Sequence, residues 1–193
     1  GGTDFDNRIV DLLADAFKGE HGIDLRQEPV VHQRLLFAAE NAKCALSERE
    51  AVPVHVPFVG MKGDRPLDLR RELRRAELEA ATSDLVDRTV LTCEEVLAAK
   101  GLEATSVHEL LLVGGQSRMP LIWRQIKENF GREPHKGVHP DEAVACGAAL
   151  LADSLSRSDA LLLIDVLPLS IGIRLPNGRF SRVVPRNTAL PAD

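Results

Sequence analysis

A short apolar run that ends in two glycines constrains the fold of this chain more than any other feature. Residues 110–113 lead directly into Gly114 and Gly115, and Pro120 then opens an amphipathic run that extends to Phe130. This order predicts a buried strand, a tight turn and a helix. Because glycine has no Cβ, a ligand can approach the backbone there, and the helix N-terminus would point free N–H groups at the same place. The pattern also fits an ordinary α/β turn that merely requires glycine.

Apolar periodicity predicts a mixed α/β region followed by a separate β element. The predicted helices cover 4–17, 29–46, 76–100, 120–130 and 140–156, and the predicted strands cover 52–58, 67–73 and 110–113. The long helix should bury Leu78, Ala81, Leu85, Val86, Cys93, Val96 and Leu97. A polar stretch at 154–159 indicates a boundary. Asn177-Gly178 between two β-type runs predicts a hairpin with a type I′ turn.

Charge and composition exclude several classes of protein. The net charge is −5 and basic residues are interleaved with acidic ones, which argues against a nucleic-acid surface. No apolar run reaches the length of a membrane span. The three cysteines lie far apart without a zinc spacing, so we expect small buried residues in a reducing cytosol. His135 and His139 lie near helix-breaking residues, which argues against a metal site.

The second predicted helix carries polar side chains beside its apolar face. Glu40, Lys43 and Ser47 fall on one line along the helix. A carboxylate, an ammonium and a hydroxyl in this order suit a ribose and an adenine edge, since they can accept and donate hydrogen bonds. The spacing alone favours a solvated helix side over a ligand site.

Five segments resemble the DnaK-type heat-shock chaperones, the seventy-kilodalton heat-shock protein family, and they occur in the family's order. They are GGTDFDNR from Gly1, RLLFAAENAKCALS at 34–47, LLLVGGQSRMP at 110–120, HPDEAVACGAAL at 139–150 and LLLIDVLPLSIGI at 161–173. The resemblance covers nearly the whole chain but only part of the family's length. By this resemblance the chain starts in the middle of a domain, as an excised piece would.

The resemblance implies an α/β fold. This would be an actin-like ATPase lobe, half of the ribonuclease-H-like or actin fold, with a small α+β subdomain and a C-terminal β-hairpin. Residues 1–157 would form lobe II of the nucleotide-binding domain, with the small subdomain at about 29–75. Residues 158–167 would form the interdomain linker, and 168–193 the incomplete start of the β peptide-binding domain.

The resemblance also implies an adenine-nucleotide site. Glu40, Lys43 and Ser47 would hold the adenosine, and Arg118 would stack on the adenine face. The other expected nucleotide-binding residues are Gly1 and Gly2 of the opening motif, Gly114, Gly115, Gln116 and Ser117 of the glycine turn, and Asp141 at the far side of the purine.

Three positions depart from the family's pattern. Cys44 stands where some members have a second arginine, so we expect a cation on one side of the adenine and an apolar second wall. Thr3 replaces a glutamate of the opening motif, which removes a carboxylate near the nucleotide. His139 replaces an asparagine and is a weaker N-cap.

The function implied is that of the adenine-nucleotide-binding half of an ATP-dependent molecular chaperone. Such a heat-shock protein assists protein folding in the cytoplasm by coupling ATP hydrolysis to peptide binding. No segment here matches the family's phosphate loop, its lysine or its magnesium-binding carboxylates, so we expect neither catalytic nor metal-ligating residues. ATP or ADP would bind weakly without hydrolysis, since Mg²⁺ would be supplied by the missing lobe.

The expected partners are a nucleotide-exchange factor and a J-domain co-chaperone, with client peptides only for the full-length parent, and neither nucleic acid nor membrane. A homo-oligomer through the C-terminal hairpin is also expected, because an isolated hairpin leaves its strand edges open. Two alternatives stay open. One is a lobe of an actin-like sugar or acetate kinase, and the other is a non-catalytic interaction module.

Overall fold

Helices and strands form two compact units, Gly1–Ala143 and Val144–Asp193. A computed structural model describes residues 1–135, 137, 139–155, 165–167 and 169–190. The helices are α1 (Gly2–His21), α2 (Pro29–Leu46), α3 (Arg75–Ala99), α4 (Pro120–Phe130) and α5 (Ala143–Leu155). The strands are β1 (Ala51–Lys62), β2 (Arg65–Arg74), β3 (Asp165–Val166), β4 (Ile171–Arg174), β5 (Phe180–Val184) and β6 (Ala189–Leu190).

The core of the first unit lies between helices α1 and α2 and the β1–β2 hairpin. α1 contributes Ile9, Leu13 and Phe17, whose spacing puts them on one helix face. The hairpin contributes alternate residues, which point to one side of a two-stranded antiparallel sheet. Its buried side chains are Val52, Val54, Val56, Val59, Leu69 and Leu73. The hairpin's inner face therefore shares one core with both helices.

The β1–β2 hairpin contains a bulge at its outer end. The pairing register shifts between Val56 and Gly60, and Phe58 in this interval adopts a left-handed backbone with φ of 51°. Asp68 Oδ1 accepts the Phe58 N–H at 3.0 Å, while the Arg34 guanidinium donates to the carbonyls of Pro57 and Phe58 at 2.5 and 3.3 Å. These bonds hold the Phe58 ring outward, where it is 68% exposed.

Two predictions for the first unit are wrong in part. Residues 110–113 do not form a buried strand: Leu111 makes one isolated parallel bridge to His135, and Leu111 and Val113 are exposed. A strand needs neighbours on its edges, and the described residues supply only this one contact. In α3, Leu78 and Val86 are buried as expected, but Val96 is exposed because the described part of the chain packs little against the helix beyond Val90.

The second unit contains α5 and two small antiparallel pairs, β3–β6 and β4–β5. The predicted hairpin is confirmed, but the type I′ turn is wrong. Gly178 N–H bonds to the Leu175 carbonyl at 2.9 Å, and Gly178 is left-handed with φ of 78° whereas Asn177 is not. Pro176 explains the difference, because its ring fixes a negative φ suited to the second position of an ordinary turn.

Other sequence predictions meet mixed outcomes. Cys44 and Cys146 are exposed and Cys93 is half-buried, so the prediction of buried cysteines is wrong. Residues 158–164 of the predicted linker lie outside the described residues, as do 168 and 191–193 of the segment after it. None of the described helices combines the length and apolarity needed to cross a membrane.

Asp68→Asn should loosen the bulge around Phe58. Hydrogen bonds from His55, from the Phe58 amide and from Arg70 hold the pKa of the Asp68 carboxyl well below its usual range. A lowered pKa stabilises the folded form above the ordinary carboxyl pKa of about 3.9, and this stabilisation is lost as pH falls through the lower folded value. We expect severalfold lower hydrogen-exchange protection of the Phe58 amide in Asp68→Asn at neutral pH.

In the wild type the same loss of protection should occur only in acid. Asp64→Asn, in the hairpin turn, is the matched control because Asp64 makes no hydrogen bond or ion pair to any described residue. Equal protection of Phe58 in the two variants would contradict this account of the bulge.

Candidate functional site

One cleft in the first unit brings together nearly all of the predicted nucleotide-binding residues. It has a volume of about 780 Å³ and lies between the start of α1, the second half of α2 and the turn at 113–118. Gly1 and Ser117 are the predicted residues that do not line it. The residues that do are Gly2, Glu40, Lys43, Cys44, Ser47, Glu48, Val113, Gly114, Gly115, Gln116, Arg118 and Asp141.

The glycine turn forms one wall of the cleft. Gly114 is left-handed with φ of 83°, and its N–H bonds to the Pro140 carbonyl at 2.8 Å. A Cβ on Gly115 would lie 3.1 Å from Asp141 Oδ1, so the absence of a side chain lets that carboxylate approach the backbone. A 3₁₀ turn, Gly115–Arg118, separates the glycines from α4. The helix N-terminus therefore does not line the cleft, contrary to the prediction.

Ser117 is a structural residue of this turn. It is buried, and both its N–H and its hydroxyl donate to the Gly114 carbonyl, at 3.0 and 2.7 Å. Its own carbonyl accepts from the Trp123 indole at 2.7 Å. Ser117 therefore closes the turn and joins it to α4, and its hydroxyl is already committed.

Lys43 is held at the floor of the cleft by a buried carboxylate. Its Nζ lies 2.9 Å from Asp6 Oδ1 and 3.0 Å from Asp6 Oδ2, and only the second contact has hydrogen-bond geometry. Nζ also donates to the Gly2 carbonyl at 3.3 Å. A Cβ on Gly2 would lie 3.0 Å from Nζ, so any larger residue there would require the ammonium to shift by a few tenths of an ångström. The side chains of Lys43 and Asp6 are only 13% and 12% exposed.

Arg118 is also paired, at the opposite wall. Its Nη2 donates to Asp141 Oδ2, and His139 Nε2 lies 3.2 Å from the same nitrogen. Both side chains of the Arg118–Asp141 pair are about half exposed, so water screens it far more than the Lys43–Asp6 pair. The guanidinium lines the cleft as predicted, but it is hydrogen-bonded to Asp141, which lies just before α5.

The remaining polar side chains of α2 are more open. Glu40 is exposed and makes no hydrogen bond to any described residue. The Ser47 hydroxyl donates weakly to the Lys43 carbonyl at 3.5 Å, in the last turn of the helix. Cys44 forms part of the cleft wall with an exposed thiol. Glu40 and Ser47 therefore keep hydrogen-bonding capacity for a ligand.

Asp6 and Glu48 are site residues that sequence reasoning missed. Asp4 is exposed in the first turn of α1, where a carboxylate suits the helix dipole. Asp6, however, lies three, four and seven residues before Ile9, Val10 and Leu13, all of which are buried. This spacing puts the carboxylate on the buried stripe of α1, and it is the signal that could have identified the partner of Lys43.

A second cleft, of about 720 Å³, lies between the end of α1 and the β1–β2 hairpin. Among its cations, Arg71 bonds to the Leu12 carbonyl and to Glu77, and Arg70 bonds to Asp68. It contains neither the glycine turn nor the polar line of α2. No group of three or more His, Cys, Asp or Glu side chains among the described residues could hold a metal ion.

Comparison with known proteins identifies the family to which the chain belongs. The family model described as Hsp70 protein matches residues 1–193, so the chain belongs to the Hsp70 family. The proteins named "Chaperone protein DnaK" of two Halobacterium salinarum strains are each 45% identical to it over 192 residues, which is 99% of this chain. That alignment covers 30% of each relative, so the chain spans about a third of their length. Family membership and the mixed α/β structure support the actin-like ATPase fold class.

The two ion pairs of the cleft should differ in their effect on stability. Lys43→Met leaves the Asp6 carboxylate buried without its cation, and we expect a loss of about 1–3 kcal/mol. Arg118→Met breaks a half-exposed pair, for which we expect a loss of about 1 kcal/mol or less. Urea unfolding of both variants measures the difference, and equal losses would contradict the burial contrast.

Proposed function

We propose that the cleft is the adenosine-binding part of the nucleotide site of an ATP-dependent Hsp70 chaperone. The supporting observation is the convergence of residues from three separate segments, α1, α2 and the glycine turn, on one cleft. These segments were expected to meet only if the resemblance to the family held. The alternative of a solvated helix side does not require Glu40, Lys43 and Ser47 to face the glycine turn.

Each lining group has a distinct role in this proposal. Glu40 and Ser47 accept or donate hydrogen bonds to ribose hydroxyls, and Lys43 donates from the floor of the cleft. The Arg118 guanidinium stacks on the adenine face while it donates a hydrogen bond to Asp141. Gly114 and Gly115 let the purine approach the backbone, Gln116 supplies a polar contact, and Cys44 supplies part of the opposite wall. Gly2 admits Lys43 to the floor, and Gly1 precedes it in the same motif.

The whole protein would couple ATP hydrolysis to peptide binding, and thereby assist protein folding in the cytoplasm. In this proposal residues 1–157 belong to lobe II of the ATPase domain, 158–167 to the linker and 168–193 to the start of the peptide-binding domain. ATP or ADP is the ligand, and any Mg²⁺ is held by the rest of the ATPase domain, since the described residues contain no fitting cluster. The chain alone is expected not to hydrolyse ATP.

The β1–β2 hairpin supports a partner surface within the proposed subdomain at about 29–75. Phe58 is an exposed aromatic side chain on a backbone that Asp68 and Arg34 hold in a strained conformation. Rigid, exposed aromatic residues are typical anchors of protein interfaces. We place a nucleotide-exchange factor there, while the J-domain co-chaperone and client peptides belong to the full-length protein. Membership of the Hsp70 family disfavours the sugar or acetate kinase alternative.

Adenosine and ATP should bind the chain with similar affinities, on the order of millimolar. Both cleft cations are bound to carboxylates, so neither is free for phosphate. Arg118→Ala should weaken both ligands about two- to fivefold, because stacking of a half-exposed cation on an aromatic ring contributes about 0.5–1 kcal/mol. Amide chemical-shift titrations with each ligand measure the affinities.

Arg124→Ala is the matched control for this titration. Arg124 is also half exposed and paired, with Glu79 at 2.7 Å, but it lies outside the cleft. Alkylation of Cys44 in a Cys93→Ser, Cys146→Ser background gives a second readout, since adenosine should slow it. ATP binding more than tenfold tighter than adenosine would contradict the proposal, as would equal effects of the two arginine variants.

The second unit supports a homo-oligomer as a separate proposal. Strands β4 and β5 pair only with each other among the described residues. Apolar side chains on this hairpin are exposed, namely Ile171, Ile173, Phe180 and Val183, together with the preceding Leu169. A two-stranded hairpin is marginal in water, and open strand edges pair readily with other strands.

We therefore expect the 193-residue chain to form a dimer or higher oligomer through strand addition from another copy. Truncation after Ser158 should yield a monomer, and Ile173→Lys should weaken association because an edge lysine opposes strand pairing. Light scattering gives the mass of each sample. A monomeric full chain, or an oligomeric truncation, would rule out the hairpin as the interface.

A further inference from the structure

Asp6 gives the floor of the cleft an unusual charge balance. It is not a lining residue, yet its carboxylate touches the ammonium of the lining residue Lys43. A buried charge is costly unless an opposite charge or hydrogen bonds compensate it, and here each ion supplies the other's compensation. Seen from the cleft, Lys43 and Asp6 therefore form a neutral pair that keeps hydrogen-bonding capacity.

The other charged side chains of the cleft do not make its electrostatic potential positive. The cleft is lined by Glu40, Glu48 and Asp141 against the cations Lys43 and Arg118, and Arg118 is bound to Asp141. These three carboxylates already outnumber the two cations, and Asp6, which does not line the cleft, raises the number of carboxylates to four. Such an arrangement favours an uncharged, hydroxyl-bearing ligand edge and disfavours an anionic one.

We propose that Asp6 is the specificity-determining residue that makes this part of the cleft select the neutral nucleoside edge over phosphate. This inference rests on the proposed nucleotide site and extends it. It gives a reason why the Lys43 cation would not attract phosphate groups into the part of the cleft that holds the nucleoside. Asp6 acts through Lys43 and touches no ligand itself. Its role is therefore one of charge compensation and positioning.

Removing the Asp6 charge should give the cleft a preference for ATP over adenosine. In Asp6→Asn the amide still accepts a hydrogen bond, but the Lys43 ammonium is no longer compensated. We expect the ratio of ATP affinity to adenosine affinity to rise about fivefold or more at low ionic strength. The reason is that the Lys43 ammonium, which lines the cleft, is then a positive charge without a counter-charge. Added salt should abolish the gain in the variant and leave the wild-type ratio unchanged.

A purely structural Asp6 would lower both affinities together and introduce no salt dependence. Asp84→Asn is the matched control, since Asp84 pairs with Arg8 on the surface at 2.6 Å and lies outside the cleft. If Asp6→Asn alone does not fold, the same substitution is made in a Lys43→Gln background, where no cation is left uncompensated. In that background too, Asp6→Asn should raise the ratio of ATP affinity to adenosine affinity above the ratio measured for Lys43→Gln alone.

Pyrophosphate separates this inference from the proposed function. Amide shifts of cleft residues should report pyrophosphate binding to Asp6→Asn but not to the wild type or Asp84→Asn. If adenosine fails to bind any variant while pyrophosphate binds Asp6→Asn, the nucleotide assignment is wrong and the role of Asp6 stands. If adenosine binds the wild type, and Asp6→Asn leaves the ratio of ATP affinity to adenosine affinity unchanged both alone and with Lys43→Gln, the role assigned to Asp6 is wrong.

Discussion

The buried ion pair between Asp6 and Lys43 links α1 to α2 at the floor of the cleft. One partner lies on the buried stripe of α1 and the other on the flank of α2, and neither is stable there alone. Gly2 completes the arrangement, because a side chain at that position would meet the ammonium. The packing of the two helices and the shape of the cleft floor thus depend on the same contact.

The opposite wall is built on different principles. Gly114, Gly115 and Ser117 fix the turn through backbone and hydroxyl hydrogen bonds, while Arg118 and Asp141 form an exposed pair that water weakens. One side of the cleft therefore contains a buried ion pair whose charges compensate each other, and the other side contains an exposed pair whose cation can move at small cost. This asymmetry suits a ligand with a hydroxylated edge on one side and a flat aromatic face on the other.

Local sequence patterns predicted the helices, the strands β1 and β2 and the glycine turn, because periodicity and glycine positions reflect the backbone directly. The resemblance to a known family selected Glu40, Lys43 and Arg118 over equally plausible surface residues. The misses concern longer-range packing. The exposure of Leu111, Val113 and Val96 depends on which neighbours are present, and the pairing of Asp6 with Lys43 joins residues that are distant in the chain. Pro176 was visible in the sequence and should have excluded the type I′ turn.

The left-handed backbone at Phe58 has a consequence for how this position can evolve. An exposed aromatic side chain can normally be replaced by many other residues during evolution. A left-handed φ, however, disfavours β-branched residues and lowers the stability of the folded state by about 1–2 kcal/mol for most others. Glycine and asparagine would relieve that strain, so selection for stability alone would drive the ring out of the sequence. An aromatic side chain at this position therefore lowers the stability of the hairpin, and a contact with a partner would offset that cost.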